Sequence, residues 1–319
     1  MSDSQPPLSQ RATSFQTIVF MVILSLVCAL ILSILASALA KPQEEAKELD
    51  RVKQLMIAAK LLDYDNHFLI ENDKGQYVNA QMQDDGVLIP ESGNEKTATN
   101  AQISAVYKKR ILPLLANDNG EVTTFEKANI NEDEYIANYQ KTGFYKQPLK
   151  LLYAILPNSS EKKEDEKPVG YVIPVNGFGL WDAIYGYLAI KPDGYTVIGI
   201  SWYDQKETPG LGANISEEPW QSLFPGKLLF QPPASGEMDL KTAPLGITVV
   251  KGKVTDVLGD SPKSKSAVDG MAGATLTGNG VTEAYRDVLA AYRPFLVKIH
   301  GDKKAATDVK EPQPASPAN

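Results

Sequence analysis

At 319 residues the chain has room for one large domain or for two of about 150 residues each. Its 43% hydrophobic, 8% aromatic and 22% charged residues exclude a wholly disordered protein and a collagen. One cysteine, Cys28, excludes an intramolecular disulfide, and with only His67 and His300 beside it, neither a Cys-rich structural zinc site nor a three-His catalytic zinc site can form. A net charge of -7 leaves no counterion-release term to drive binding to nucleic acid, so that partner class is set aside.

The mean hydropathy of -0.22 hides one segment unlike the rest. From Phe15 to Ala40 there is no charge, and the 23 residues from Ile18 onward reach ~35 Å as a helix, enough for a ~30 Å hydrocarbon core. Ala38-Leu39-Ala40 ahead of Lys41 has the form of a cleavage site, but the run is too long for a signal-peptide h-region of about 7–15 residues. An uncleaved single-pass anchor over 15–40 is the expectation, with 1–14 as a cytoplasmic leader and residues after Lys41 on the far side. Lysine and arginine counts slightly favour the opposite orientation (Arg11 before the run; Lys41, Lys47, Arg51 and Lys53 after it), but long domains translocate largely regardless of charge. Ser25, Ala29, Ser33, Ala36 and Ser37 recur along the run, a pattern that permits close helix packing in membranes.

Beyond the anchor, residues 41–300 read as one domain carrying polar inserts near 71–165. Gln43–Leu62 is predicted to be an amphipathic helix, with Leu49, Val52, Met56 and Ala59 at helical spacing and Leu55 and Leu62 alongside, continuing the membrane helix past Pro42. Residues 71–100 are polar and loop-like, punctuated by Gly75, Gly86, Pro90 and Gly93. Gln102–Leu115 reads as another helix, and Asn158–Lys167 as a charged, solvated loop. Tyr171–Val175, Ile184–Ile190 and Thr196–Trp202 read as strands, the last two joined by a hairpin at Pro192-Asp193-Gly194. Lys227–Gln231 and Ile247–Val254 follow as further strands, and residues 301–319 as a disordered tail. The fold class expected is α+β: a twisted antiparallel sheet with packed helices, behind a transmembrane helix.

Two stretches carry candidate chemistry. Glu207-Thr208-Pro209-Gly210-Leu211-Gly212 follows a strand, and Pro209-Gly210 fits a type II turn with positive φ at the glycine. By itself this is an ordinary turn. Asp269-Gly270-Met271-Ala272-Gly273-Ala274-Thr275-Leu276-Thr277-Gly278-Asn279-Gly280 precedes a helix whose apolar face is Val281, Ala284, Tyr285, Val288, Leu289 and Tyr292. Thr277 or Asn279 is the expected N-cap, and Thr275 then lies just ahead of a helix end able to meet a phosphate. The competing structural explanation is a glycine-rich connection before an ordinary helix.

The run Asp269…Gly273-Ala274-Thr275 resembles the D-x-x-[S/T]-G-A-T flavinylation motif, in which the last threonine carries FMN through a phosphoester; it departs from that pattern at Ala272. With Glu207–Gly212, Gly179-Leu180-Trp181 and the anchor, the chain resembles the NqrC family, the flavin-bearing C subunits of sodium-translocating NADH:quinone reductases. The resemblance implies covalent FMN on Thr275. It also implies cofactor contacts at Leu180, Trp181, Glu207, Thr208, Gly210, Leu211, Asp269, Gly270, Gly273, Ala274 and Thr277, with Asp269 read by the flavin transferase that matures the protein from FAD. Trp181, without the resemblance, would be read as core. No metal and no acid–base pair is implied, and a protein of this family is not catalytic alone. Partners implied are the other subunits of a multi-subunit enzyme that reduces ubiquinone coupled to Na+ export in the cell inner membrane, with the main domain periplasmic. Three other readings compete: the related flavin-domain G component of an Rnf-type ion-translocating electron-transfer complex, a membrane-anchored module without redox function, and a threonine- or serine-nucleophile hydrolase. The last needs a base, and neither His67 nor His300 stands in a G-x-S-x-G or comparable context.

Overall fold

The structure is a computed structural model that describes residues 8–91, 93, 96–159, 166–236 and 238–308. The chain divides into two units, Met1–Asp50 and Arg51–Asn319. The first is helical: α1 (Leu8–Ala58) starts here and is apolar and long enough to cross a membrane, with Phe15, Phe20, Leu24 and Leu32 all exposed. Pro42 sits inside it without ending it, so one helix carries the apolar run and most of the amphipathic stretch predicted after it; the helix expected to reach Leu62 stops at Ala58, and Lys60 takes φ +54° in the turn that follows.

The second unit holds the last turns of α1, then a small meander of β1 (Phe68–Glu71), β2 (Tyr77–Met82) and β3 (Leu88–Pro90), paired antiparallel in that order. Next come α2 (Asn100–Arg110), β4 (Ile111–Ala116), β5 (Val122–Thr123), α3 (Phe125–Ala128), α4 (Glu132–Tyr139) and β6 (Lys150–Ile155). The hairpins β7 (Gly170–Phe178), β8 (Ala183–Ile190) and β9 (Val197–Asp204) complete a six-stranded antiparallel sheet of order β5-β4-β6-β7-β8-β9. The chain ends through α5 (Glu218–Gln221), β10 (Thr248–Val249), α6 (Val254–Val257), β11 (Ala267–Val268) and α7 (Thr275–Asp308).

Alternate residues of the sheet enter two different cores. Leu112, Leu114, Leu152, Ala154, Ile173, Val175 and Leu188 face α7, whose Val281, Ala284, Tyr285, Val288, Leu289 and Tyr292 are all buried there. Ile111, Leu115, Leu151, Tyr153, Val172, Tyr187 and Ala189 face the other way, onto Leu55 and Met56 at the end of α1, Ala59 and Leu62 in the turn after it, Ile103 and Val106 of α2, and the meander. Burying both faces removes the polar half of the usual alternation, so β4 and β6 read as unbroken apolar runs.

Several expectations are corrected. Residues 71–100 contain β2 and β3 rather than loop alone, held across tight turns by positive-φ Gly75 and Gly86. The helix predicted over Gln102–Leu115 stops at Arg110, where the chain turns straight into β4. Residues 71–165 supply β4 and β6 to the main sheet, so this stretch builds the core instead of decorating it. Lys227–Gln231 makes only isolated bridges, and Ile247–Val254 keeps two strand residues, Thr248 and Val249, paired parallel to β11. The helix α7 continues to Asp308, so the first part of the predicted tail is helical; 309–319, and most of the charged loop at 158–167, lie outside the described residues.

Candidate functional site

Three segments converge where α7 begins: the motif loop, the turn at Gly179–Asp182 after β7, and the loop Glu207–Gly212 after β9. The first is the motif loop after β11. Asp269 Oδ1 accepts from Val254 N (2.8 Å), its carbonyl accepts from Trp220 Nε1 (3.0 Å), and Gly270 N donates to Gly252 O (2.8 Å). A Cβ at Gly270 would lie 2.0 Å from Val250 O, so only glycine allows this approach. Gly273 takes φ +72°, and Gly278 N donates to Ala274 O (3.0 Å) as the first helical bond. The helix therefore starts at Thr275, ahead of both expected caps, and Thr275 is its exposed first residue rather than a residue just outside it.

Thr277 is not the cap. It is 1% exposed, and its hydroxyl donates to Glu207 Oε2 at 2.5 Å. A buried hydroxyl satisfied by a carboxylate 70 residues away has no reason to turn back on its own backbone. Asn279, the other cap candidate, lies within the helix and is exposed.

Glu207, itself 5% exposed, joins all three segments. Its Oε1 accepts from Trp181 N (2.9 Å), and the N–H groups of Leu180 and Asp182 also point at the carboxylate. Burial pushes its pKa up, but the Thr277 hydroxyl and these backbone donors outweigh it and hold the group below the usual carboxylate value. Glycines make room for it. A Cβ at Gly179 would lie 2.4 Å from Oε1, and one at Gly212 would lie 2.5 Å from Thr277 Oγ1. Thr277→Ala is thus expected to cost roughly 1–3 kcal/mol, by taking a partner from a buried charge. Its thermal midpoint should fall clearly below that of Thr275→Ala.

Because the folded-state pKa of Glu207 is depressed, its contribution is present above the unfolded value near 4.5 and is lost as pH falls through the folded value. The stability gap between the parent and Glu207→Gln should accordingly shrink below pH 4.5 in urea titrations.

Around this buried knot stand large apolar side chains facing outward. Phe178 (74% exposed) and Trp181 (68%) are joined by exposed Leu180, Leu211 and Leu276. Trp181 is therefore not core. Its indole Nε1 donates to Thr208 Oγ1 (3.1 Å) while its backbone is held by Glu207, so an exposed ring is fixed in place. The predicted turn is present: Leu211 N donates to Thr208 O (3.1 Å) and Gly210 has φ +73°. Leu211 reaches over Gly273, where a Cβ would sit 2.9 Å from its Cδ2. Clusters of exposed apolar side chains on this scale mark a surface that something covers.

Beside them lies a cleft of about 370 Å³ lined by Val249–Lys253, Asp269–Thr275, Gly278 and Asn279. It brings together Asp269, Gly270, Gly273, Ala274 and Thr275. Leu180, Trp181, Glu207, Thr208, Gly210 and Leu211 belong to the apolar side instead. Neither histidine lines the cleft: His67 Nδ1 pairs with Asp63 Oδ2 (2.9 Å) and His300 Nδ1 with Asp193 O (3.0 Å). Sequence reasoning misses Phe178, Leu276, Lys251 and Lys253; a leucine directly after Thr275, in a run of small residues, is the one signal that points there. A hydroxyl at a helix start, glycines that admit a bulky group, and an ordered apolar platform together fit a phosphate-bearing, flat, conjugated ligand.

A family model described as FMN-binding domain matches residues 179–290, which span all three segments. Over 305 residues the chain is 39% identical to the C subunit of the Na(+)-translocating NADH-quinone reductase of Chlamydia caviae, covering 93% of this chain and 96% of that protein. It is 41% identical over 291 residues to the protein of the same description from Chlamydia muridarum, covering 88% and 90%. Among solved structures, the corresponding protein from Parabacteroides distasonis superposes with a TM-score of 0.49 at 23% identity, over 81% of this chain and 96% of that one. Alignment over 93% of the chain cannot omit 71–165, so that stretch is shared with the chlamydial protein.

Proposed function

The chain belongs to the NqrC family, the C subunits of Na(+)-translocating NADH-quinone reductases, and from that premise we propose that it is a membrane-anchored electron carrier whose FMN is joined through phosphate to Thr275. The observation that supports this reading most is the placement of Thr275, exposed at the head of α7, between a cleft of glycines and an outward-facing apolar platform. Bound FMN supplies the one- and two-electron redox chemistry. The chain's own residues do the positioning. Thr275 Oγ supplies the phosphoester oxygen and Ala274 and Gly273 keep the approach open. Trp181, Leu180 and Leu211 offer their apolar faces to a ring, with Thr208 fixing the Trp181 indole and Glu207 and Thr277 fixing the backbone beneath it. Gly210 shapes the turn that presents Leu211, and Asp269 and Gly270 set the motif loop read by a flavin transferase.

In this reading residues 1–14 are cytoplasmic, 15–40 cross the inner membrane, and 41–300 form the periplasmic flavin domain. The anchor docks against the other subunits of a complex that reduces ubiquinone and exports Na+. Among the described residues the segment from Ile18 to Ala40 contains no carboxylate, so the ion path is assigned elsewhere in that complex. Intact mass of the protein purified from its membrane tests both halves at once. It should show one FMN phosphoryl adduct on a chain that keeps residues 1–40. A chain beginning at Lys41 would defeat the anchor, and an unmodified mass in the presence of the transferase would defeat the flavin assignment.

A further inference from the structure

The cleft beside Thr275 holds two cations that the motif does not contain. Lys251 and Lys253 line it together with Asp269 and the first turn of α7, and the single carboxylate among the lining residues, Asp269, already accepts from Val254 N (2.8 Å). Among the described residues neither ammonium is paired with a carboxylate. The two lysines are not loosely attached. Their segment is tied to the motif by Val250 N to Val268 O (3.0 Å), Gly270 N to Gly252 O (2.8 Å) and the Val254–Asp269 bond, and by the backbone contact that requires glycine at 270. Residues 250–254 and 268–270 thus form one ribbon, and the lysines keep a fixed register to the acceptor threonine.

We propose that Lys251 and Lys253 are positioning residues for the phosphate joined to Thr275, neutralising it during attachment and holding the diester afterwards. This rests on the covalent-FMN reading above and adds the electrostatic half of its site. In the transfer, Thr275 Oγ bonds to the phosphorus of the FMN half of FAD, and the bridging P–O bond breaks. AMP leaves, the hydroxyl proton passes to water, and no electron changes hands. Negative charge is concentrated at the pyrophosphate in this step, and two ammonium groups on a common wall stabilise it most when the phosphate is in place.

The test uses full-length protein made without the transferase, then incubated with purified transferase and FAD and followed by intact mass. The double variant Lys251→Gln/Lys253→Gln should form adduct about tenfold more slowly, the scale of one charge-assisted contact, while the double arginine variant stays near the parent rate. The second readout is the ³¹P resonance of the loaded protein, which should move in the glutamine variant and return in the arginine variant. Unchanged rate and unchanged resonance would overturn the proposal. So would slow transfer with an unchanged resonance, since the lysines would then serve only to dock the transferase. A parent protein that gains no adduct would instead remove the covalent-FMN reading on which the proposal stands.

Discussion

Thr275→Ala is expected to yield a folded, membrane-bound, colourless protein and a complex that does not pass electrons to quinone. The side chain is exposed, so its removal should change stability by no more than about 0.5 kcal/mol. Loss of colour would then report chemistry and not misfolding. Thr277→Ala provides the contrast. It should keep its covalent flavin while losing stability, because its hydroxyl is committed to Glu207. A flavin-fluorescence gel with tandem mass spectrometry of the peptide from Asp269 to Arg286 separates the two. Flavin retained in Thr275→Ala and lost in Thr277→Ala would reverse the assignment. Loss in both, with the second variant still folded, would mean that the buried hydroxyl also serves attachment.

What can be read from the sequence divides along physical lines. The hairpins β7, β8 and β9 are legible because β-branched and aromatic residues cluster between turn signals, and the face of α7 is legible because Val281, Tyr285, Val288 and Tyr292 recur at helical spacing toward one core. The strands β4 and β6 are not, because ILPLLA and KLLYAI are buried on both sides and a short apolar run has no period to betray it. Thr277 is misread as a cap for a different reason. Local capping rules weigh a threonine against its own backbone and cannot see a glutamate that folding brings to it. The same blindness hides Trp181, which looks like core until the Glu207 and Thr208 bonds that hold it outward are known. Lys251 and Lys253 fall inside the strand predicted over Ile247–Val254 and carry no signal of their own; only the parallel pairing of β10 with β11 places them beside the motif.

Gly280→Ala tests whether the site depends on how closely α7 approaches the sheet. Helix propensity predicts a gain of roughly 1 kcal/mol for glycine to alanine at an interior helical position. The structure predicts the opposite sign. A Cβ at 280 would lie 2.0 Å from Phe178 O and 3.4 Å from Gly179 Cα, both backbone atoms that cannot swing aside. The neighbouring contact is also too close for a Cβ, which at Gly177 would lie 2.5 Å from Ala284 Cβ. Relief requires α7 to lift off the end of β7, which loosens Val281, Ala284 and Tyr285 in the core and pulls Thr277 from Glu207. Overpacking of this kind costs about 1–3 kcal/mol where side chains can adjust, and more is expected against backbone. The thermal midpoint should therefore fall by several degrees, since each kcal/mol moves it roughly 2–4 °C in a domain of this size. Gly278→Ala is the internal control, because its Cβ would meet a valine side chain, Val249 Cγ1, at 3.0 Å, where a small rotation can absorb the contact. Flavin attachment should drop in the 280 variant as the turn at Gly179–Asp182 shifts, and persist in the 278 variant. A 280 variant more stable than its parent would show that propensity wins and that the approach of α7 to β7 is looser than its glycines imply.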